Sequence, residues 1–327
     1  MSLRIGILGA ARVATYAMIA AARDVDGVTV AGVAARDPAR ARSYADSHGI
    51  AQVYESYEAL IAADHIDAIY NALPPSLHAR WSIAALCAGK PVLCEKPFAL
   101  CVDDVKAMLA AEAETGQVLM EAQHSHYHPL SARMRDIVRS GVLGDIVSAD
   151  ACFDIVVERR PDELRFLPDV GGGALWDLGI YPAYWLCSTL GWQPDLLSAQ
   201  QRRADTGADI ASEARLRFGA NVEATISCDM AAPLRVYAEF KGSKGSLKVR
   251  NPLAPQHGHA LELTVNGVAT QEHFSTRTSY AYQLEAFRDA VLKSAAVQTG
   301  GANSLAVITL LSAIRDYATR QGSSHAD

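Results

Sequence analysis

Short apolar runs alternate with Ala-rich stretches of helical period from Leu3 to about Ala122. The apolar runs predict strands at 3–8, 28–34, 68–73, 91–94 and 118–121. The intervening pattern predicts helices that begin near Val13, Pro38, Tyr57, Leu77 and Asp103. Each helix is long enough to carry the chain back to a parallel partner. We therefore expect an α/β Rossmann domain with a doubly wound parallel sheet over residues 1–122.

The pattern changes after residue 122. A helix is predicted over 130–139, a strand over 146–157 and a helix at Trp176. Turn residues then separate strands predicted at 214–218, 222–230, 235–241, 246–250 and 261–265. Two further helices are predicted at 280–294 and 304–320. We expect residues 123–327 to form an α+β domain with a large, mostly antiparallel open sheet, which binds substrate and mediates oligomerisation.

A G-x-A-x-x-A version of the dinucleotide fingerprint, residues 9–14, joins the first predicted strand to the first helix. Gly9 permits the tight turn, and small residues let a pyrophosphate approach the unpaired N–H groups of the helix. Taken alone, the segment is a weak signal, and an ordinary strand-to-helix turn is the alternative interpretation. The cofactor-binding residues expected in it are Gly9, Ala11, Arg12 and Val13.

The end of the second predicted strand indicates which cofactor is bound. Arg36 leaves this strand and Arg40 lies in the first turn of the next helix, so both can bind one 2′-phosphate. Asp37, directly before Pro38, is better explained as a helix N-cap than as a ribose ligand. We expect NADP as cofactor and regard NAD as less favoured.

Candidate catalytic residues lie in both predicted domains. Glu95 and Lys96 follow the strand at 91–94, and ligands bind such sheets outside the carboxyl ends of the strands. In the second domain a glycine run, which we expect to be flexible, precedes a helix with Asp177 and Tyr181. Their spacing of four places both side chains on one helix face, where a carboxylate and a phenol can address one substrate carbon.

Together, the segments 9–14, 94–97 and 171–181 resemble the Gfo/Idh/MocA family, and the resemblance covers nearly the whole chain. Tyr181 replaces the histidine of inositol dehydrogenases, so the chain resembles the branch with dimeric dihydrodiol dehydrogenase and glucose-fructose oxidoreductase. The resemblance implies hydride transfer between NADP and a sugar, cyclic polyol or dihydrodiol. It also implies that Lys96 and Tyr181 form the catalytic pair. On chemical grounds we expect Asp177 to hold a substrate hydroxyl and fix its orientation.

Two sets of binding residues follow from the same resemblance. The cofactor is expected to contact Leu73, Pro74, His78, Glu95 and Lys96, although Pro75 stands where the family commonly has asparagine. The expected substrate contacts are Lys96, His126, Tyr127, Arg165, Asp177 and Tyr181. A loop salt bridge is the alternative role for Arg165. In catalysis Tyr181 would act as general base while Lys96 stabilises its phenolate, with direct proton transfer by Lys96 as the alternative.

Two features of the sequence suggest other functions. In an extended segment His124, His126 and His128 would point to one side as a metal triad, but alcohol oxidation by a nicotinamide needs no metal, so none is expected. The alternative from a different class is a catalytically silent NADP-binding sensor or scaffold, because a fold alone does not prove chemistry.

Composition narrows the partners and the compartment. A formal charge of −6 and a pI near 5.9 make nucleic acid an unexpected partner. Six cysteines without a CxxC pair indicate reduced thiols, and no secretory signal or membrane-spanning apolar run is recognised. We expect a cytoplasmic protein that does not bind membranes and forms a homodimer or homotetramer through its carboxy-terminal sheet.

Overall fold

The computed structural model of this 327-residue chain describes residues 2–160 and 163–323. These residues form two compact units. The first contains the chain up to Tyr127 together with Thr278–Leu305, and the second contains His128–Arg277 and the described residues after Leu305. The units therefore do not follow a single cut at residue 122, because the chain returns to the first unit near its carboxyl end.

A six-stranded parallel sheet forms the centre of the first unit. Its strands are β1 (Leu3–Leu8), β2 (Val28–Ala34), β3 (Gln52–Tyr54), β4 (Ala68–Asn71), β5 (Val92–Cys94) and β6 (Leu119–Glu121). Their order is β3-β2-β1-β4-β5-β6, and all neighbours are parallel. This is the doubly wound dinucleotide-binding order, which reverses between β1 and β4. The expected Rossmann-like sheet is confirmed.

The edge strand β3 was missed by the sequence pattern. It is only three residues long, and both Gln52 and Val53 are exposed, so no apolar run marks it. The other five strands of the sheet begin and end within two residues of the predicted bounds.

Helices connect these strands. They are α1 (Arg12–Ala14), α2 (Ala21–Arg23), α3 (Pro38–His48), α4 (Tyr57–Ile61), α5 (His78–Cys87) and α6 (Val102–Thr115). A π-helical segment, Thr15–Ala20, joins α1 to α2. Asp37 caps α3, since its Oδ1 accepts hydrogen bonds from the backbone N–H groups of Ala39 at 2.9 Å and Arg40 at 3.4 Å. The expected N-cap is confirmed.

Helix α9 (Ser279–Lys293) also belongs to the first unit. Its residues Ala281, Leu284 and Phe287 are completely buried in the same apolar cluster as Ile5 and Ile7 of β1. Helical periodicity shows which face of α9 is apolar but not which sheet that face covers. The sequence therefore placed this helix in the second domain, whereas the structure places it in the first.

An eight-stranded sheet forms the second unit. Its strands are β7 (Ile146–Asp154), β8 (Asp195–Arg203), β9 (Asp209–Phe218), β10 (Val222–Asp229), β11 (Arg235–Gly242), β12 (Gly245–Arg250), β13 (Ala260–Val265) and β14 (Val268–Glu272). The order is β14-β13-β12-β11-β7-β10-β9-β8, and only the β7–β10 pair is parallel. The mostly antiparallel sheet is confirmed. Strands β8 and β14 were missed because their sequences are largely polar and exposed.

One face of this sheet is covered by helix. The helices of the second unit are α7 (Pro129–Arg139), α8 (Ile180–Leu190) and most of α10 (Gly301–Ser323), within which the division between the units falls. Tyr181 at the start of α8 meets Phe153 of β7 edge to face, with ring centroids 5.8 Å apart. None of the described helices is both long and apolar enough to cross a membrane.

Candidate active site

The turn between β1 and α1 has the shape that the fingerprint predicts. Gly9 has a φ of +97°, and its N–H donates to the carbonyl of Ala34 at 2.8 Å. A Cβ on Gly9 would lie 3.2 Å from the carbonyl oxygen of Ala72, at the start of the loop after β4. Only glycine combines this left-handed conformation with such a close approach. The turn therefore lies where the strand order reverses.

The start of α1 offers backbone donors. Ala11 precedes the helix, and no side chain in the described part of the chain caps it. The first N–H groups of a helix lack intrahelical partners, so those of Arg12 and Val13 can bind an anion. The Tyr44 hydroxyl donates to the Ala11 carbonyl at 3.1 Å and fixes this residue.

Two exposed arginines lie at the end of β2. The Arg40 Nη2 donates to the carbonyl of Ala10 at 3.0 Å, which holds its guanidinium beside the turn. Arg36 is exposed one residue before Asp37, whose carboxylate is used as the α3 cap. Burial raises the pKa of the nearby Tyr57, and the positive charges of Arg36 and Arg40 act to lower it. Tyr57 therefore lies close enough to both arginines to interact with them electrostatically.

The loop after β4 is tied to the loop after β5 by His78. This side chain is fully buried, and its two ring nitrogens each lie 2.8 Å from a backbone carbonyl oxygen, Nδ1 from Pro97 and Nε2 from Leu73. Burial, with a smaller contribution from the positive charge of Lys96, lowers the pKa of His78 to about 4. A neutral imidazole has one N–H, so His78 donates to one of these two carbonyls and packs against the other, between the two loops. Pro74 beside it is half-buried.

Lys96 is the second residue after β5 and is half-buried. The carboxylate of the buried Glu95 accepts a hydrogen bond from the Lys96 backbone N–H at 3.3 Å and one from the Tyr70 hydroxyl at 2.5 Å. Burial, followed by the Glu95 charge, raises the pKa of Tyr70 well above its usual value. Glu95 is thus anchored on the sheet and fixes the backbone of the candidate catalytic lysine.

Residues His124–Tyr127 form a 3-10 turn and not the extended segment that a histidine triad would require. His124 donates to or accepts from the Ser279 hydroxyl at 2.8 Å and stacks on Tyr280. The Tyr127 hydroxyl lies 2.8 Å from the Thr299 hydroxyl, and burial raises its pKa to about 12. Within residues 2–160 and 163–323 no group of three His, Cys, Asp or Glu side chains is arranged to hold a metal ion.

In the second unit, Arg165 contacts Asp177. The Arg165 Nε donates to the Asp177 carboxylate, and its Nη1 lies 3.0 Å from Glu163 Oε1. The charge of Asp177, followed by its hydrogen bond, raises the pKa of Arg165 against the opposing effect of burial. Arg165 and Asp177, both expected to bind substrate, therefore form an ion pair with each other. Such a pair also agrees with the alternative role of Arg165 in a loop salt bridge.

Asp177 and Tyr181 share one continuous helical stretch. Asp177 lies in a π-helical segment, Leu175–Gly179, that leads directly into α8. Tyr181 is 6% exposed, and its ring approaches Phe153 and Trp185. π-helical turns are frequent at functional sites, and a spacing of four there keeps both side chains near one face.

Comparison with known proteins assigns the family. The Gfo/Idh/MocA model described as an oxidoreductase family with an NAD-binding Rossmann fold matches residues 3–123, and the Gfo/Idh/MocA C-terminal domain matches residues 131–248. The chain belongs to the Gfo/Idh/MocA family of oxidoreductases. The resemblance seen in the sequence motifs is confirmed.

Named relatives of this Gfo/Idh/MocA oxidoreductase are dehydrogenases and reductases. It is 32% identical to D-xylose 1-dehydrogenase (NADP(+)) 2 of Haloferax volcanii over 96% of each chain. It is 31% identical to trans-1,2-dihydrobenzene-1,2-diol dehydrogenase of Danio rerio, covering 98% of this chain and 97% of the relative. A 3-ketoreductase from Actinomadura kijaniata, solved with NADP and TDP-benzene, superimposes with a TM-score of 0.90 at 30% identity over 97% of this chain and 98% of that one. The expectation of an enzyme is confirmed.

Four side chains of this Gfo/Idh/MocA oxidoreductase that support the candidate residues were missed in the sequence. Tyr44 donates to the carbonyl of Ala11, and Tyr70 donates to the carboxylate of Glu95. Tyr57 lies near Arg36 and Arg40. The fourth, Asp209, bonds to the backbone of Leu175 across 34 residues of sequence. Tyr70 alone gave a signal, as a hydroxyl in the apolar run of β4. The others become visible only when the contacts are known.

Proposed function

We propose that this oxidoreductase uses NADP, in preference to NAD, to transfer a hydride to or from a carbinol carbon of a sugar, cyclic polyol or trans-dihydrodiol. The observation that carries the cofactor choice is the Arg40 guanidinium held on the Ala10 carbonyl, with Arg36 exposed at the end of β2. Two positive charges at this strand end suit a 2′-phosphate. Asp37 caps α3 and so is engaged where an NAD enzyme would present a ribose-binding carboxylate.

The residues of the turn fit a dinucleotide. A Cβ at Gly9 would fill the space beside Ala72. No described side chain caps the start of α1, which leaves N–H donors for a pyrophosphate. The remaining proposed cofactor contacts are Leu73, Pro74, His78 and Glu95. His78 lies between the carbonyls of Leu73 and Pro97, so it also helps to shape the loops that form these contacts. When bound, the nicotinamide supplies the acceptor or donor of the hydride.

Proton transfer is proposed for two side chains. Removing hydride from a carbinol carbon requires the hydroxyl proton to leave at nearly the same time. Tyr181 takes this proton as general base, and the positive charge of Lys96 stabilises its phenolate. Direct transfer to Lys96 is the alternative, and in either case Glu95 positions the backbone of Lys96.

Substrate recognition is assigned to hydroxyl-binding side chains. Asp177 accepts a hydrogen bond from a substrate hydroxyl, and its ion pair with Arg165 fixes the carboxylate. His126 and Tyr127 remain proposed substrate contacts. The Tyr127 hydroxyl is bonded to Thr299, so its contribution is by the ring. The relatives named for D-xylose and for a dihydrodiol support a polyhydroxylated or diol substrate.

Assembly and location complete the proposal. The sheet of the second unit packs α8 on one face, and the other face carries charged side chains such as Asp150, Arg215, Glu223 and Lys241. We assign that face to a homodimer or homotetramer contact, without nucleic-acid or membrane partners. All six cysteines are free thiols, which favours the cytoplasm.

A spectrophotometric screen tests this proposal. The purified chain is incubated with NADP or NAD and a panel of aldoses, inositols and trans-dihydrodiols, and the absorbance of reduced nicotinamide is followed. Turnover with NADP on at least one member of the panel is expected. Cofactor binding without turnover on any member would contradict the enzymatic part, and tighter binding of NAD than NADP would contradict the cofactor choice.

A further inference from the structure

A buried carboxylate lies at the start of the helical stretch that carries Asp177 and Tyr181. Asp209, the first residue of β9, is 8% exposed. Its Oδ2 accepts a hydrogen bond from the backbone N–H of Leu175 at 2.7 Å. Leu175 is the first residue of the π-helical segment. Asp209 therefore supplies the side-chain acceptor for an N–H group at the start of this stretch.

The glycine run before this helix is built around that carboxylate. Gly173 has a φ of +131°, and a Cβ on it would lie 2.2 Å from Asp209 Oδ1. A Cβ on Gly172 would lie 2.4 Å from the carbonyl oxygen of Leu164. The carbonyl of Gly173 in turn accepts from the Asp177 N–H at 3.1 Å. The run is closely packed, so the expectation of a flexible glycine run is corrected.

The far side of the stretch is fixed as well. A Cβ on Gly179 would lie 3.1 Å from the Cys228 Sγ of β10. The π-helical segment is thus held by a hydrogen bond at its start and by close packing at its end. Loss of the hydrogen bond releases only the start, where Asp177 lies.

From this geometry we infer that Asp209 is a positioning residue for the reaction, which orients Asp177 by fixing the backbone at Leu175. The inference rests on the proposed function for the role of Asp177. In this role Asp209 contacts neither substrate nor cofactor and acts through the backbone of Leu175.

The charge of Asp209 links this positioning to pH. Burial raises the pKa of Asp209 to about 6, against the hydrogen bond from Leu175 and the charge of Arg203, which lower it. The Cys228 thiol also faces Asp209, and its pKa is raised well above the usual value. Above about pH 6 Asp209 is therefore an anion with a charge-assisted hydrogen bond to Leu175, and below that pH it is neutral and the bond weakens.

Two substitutions separate charge from hydrogen bonding. Asp209→Asn keeps an acceptor oxygen but loses the charge, and Asp209→Ala loses both. Asp205→Asn is the matched control, because Asp205 lies on the same β8–β9 connection with 71% side-chain exposure and pairs with Arg159. For each variant kcat, KM and NADPH affinity are measured from about pH 5 to about pH 8 with a substrate found in the screen.

The expected results differ between the variants. Asp209→Ala lowers kcat about 10- to 100-fold at every pH, as expected for a small misplacement of catalytic groups. Asp209→Asn lowers kcat several-fold at neutral pH, and its profile is flat near pH 6, where the wild type declines toward the variant. NADPH affinity is unchanged in both variants. Asp205→Asn behaves as the wild type.

Hydrogen exchange gives a readout that does not depend on turnover. The amides of residues 173–177 are expected to exchange faster in Asp209→Asn than in the wild type at neutral pH, with the difference lost near pH 5. Equal exchange, or an active wild type whose pH profile Asp209→Asn reproduces, would overturn the inference and leave the proposed function intact. A wild type inactive on the whole panel contradicts the proposed function alone. If Asp209→Ala does not fold, the Asn variant still decides.

Discussion

Arg165 hydrogen-bonds the Asp177 carboxylate through its Nε while its Nη1 lies 3.0 Å from Glu163 Oε1. One guanidinium therefore lies between two carboxylates, and the three side chains carry a net charge of −1. Such a cluster can orient a neutral substrate hydroxyl on Asp177, whereas it repels an anionic group. This charge agrees with the uncharged polyol or diol of the proposed function.

The first prediction concerns this ion pair. Arg165→Ala should raise KM for the neutral substrate about tenfold, because Asp177 loses the partner that fixes its carboxylate. Steady-state kinetics with the substrate from the screen measure the effect. Arg217→Ala, which removes an exposed ion pair with Asp195, is the control and should leave KM unchanged. An unchanged KM in Arg165→Ala would exclude a role for this pair in binding.

The second prediction concerns the cofactor. Replacing Arg36 and Arg40 together by alanine should weaken NADP binding more than about 100-fold and leave NAD binding nearly unchanged, because only NADP carries the 2′-phosphate. Fluorescence titration with NADPH and NADH measures both affinities. Arg42→Ala, an exposed arginine of the same helix, serves as control. An equal loss for both cofactors would point to damage to the turn at Gly9.

How much was predictable depends on how local each signal is. Strands β1 and β2 were predicted to the residue because each is predominantly apolar and ends at a turn. The cap at Asp37 was also predicted, since its partners Ala39 and Arg40 are two and three residues away. Both features depend on short stretches of sequence.

Long-range features could not be predicted in this way. A polar residue at the start of β9 gives no sign that Asp209 bonds to Leu175, which lies 34 positions earlier. The same holds for Ser304, which donates to the buried carboxylate of Glu121 across 183 positions and helps return the chain to the first unit. The sequence indicated the residue types for chemistry but not the side chains that support them.

The third prediction tests the candidate catalytic lysine. Lys96→Met should lower kcat by at least about a thousandfold, since it removes the charge that stabilises the Tyr181 phenolate and the alternative proton carrier. NADPH binding, followed by fluorescence, should persist. Lys106→Met on α6 is a matched control with an exposed ammonium. Substantial turnover by Lys96→Met would remove Lys96 from the mechanism.

The fourth prediction compares two glycines with left-handed φ. Gly207 has a φ of +85° with no atom within 4 Å of a Cβ, so Gly207→Ala meets backbone strain alone, about 1 kcal/mol. Gly173, with a φ of +131°, adds the collision with Asp209 at 2.2 Å. Gly173→Ala should therefore lower the free energy of unfolding by about 3 kcal/mol or more. Urea denaturation measures both, and equal losses would contradict the close packing of the glycine run.

The last prediction follows from the raised pKa of Asp209, which is about 6 in the folded chain against an ordinary value of 3.8. Between these two values the folded state holds a proton that the unfolded state has released. Stability contributed by this group is therefore present below pH 3.8 and lost as the pH rises to about 6. The loss is about 3 kcal/mol, from two pKa units.

Urea unfolding of the wild type and Asp209→Asn at about pH 4.5 and about pH 6.5 isolates this contribution, because the other titrating groups are common to both proteins. Relative to the variant, the wild type should have a higher free energy of unfolding at about pH 4.5 than at about pH 6.5. In other words, the difference in unfolding free energy between wild type and variant should shrink or reverse as the pH rises. A difference that grows with pH would mean that the Asp209 pKa is lowered in the folded chain, and that its bond to Leu175 outweighs the cost of burying its charge.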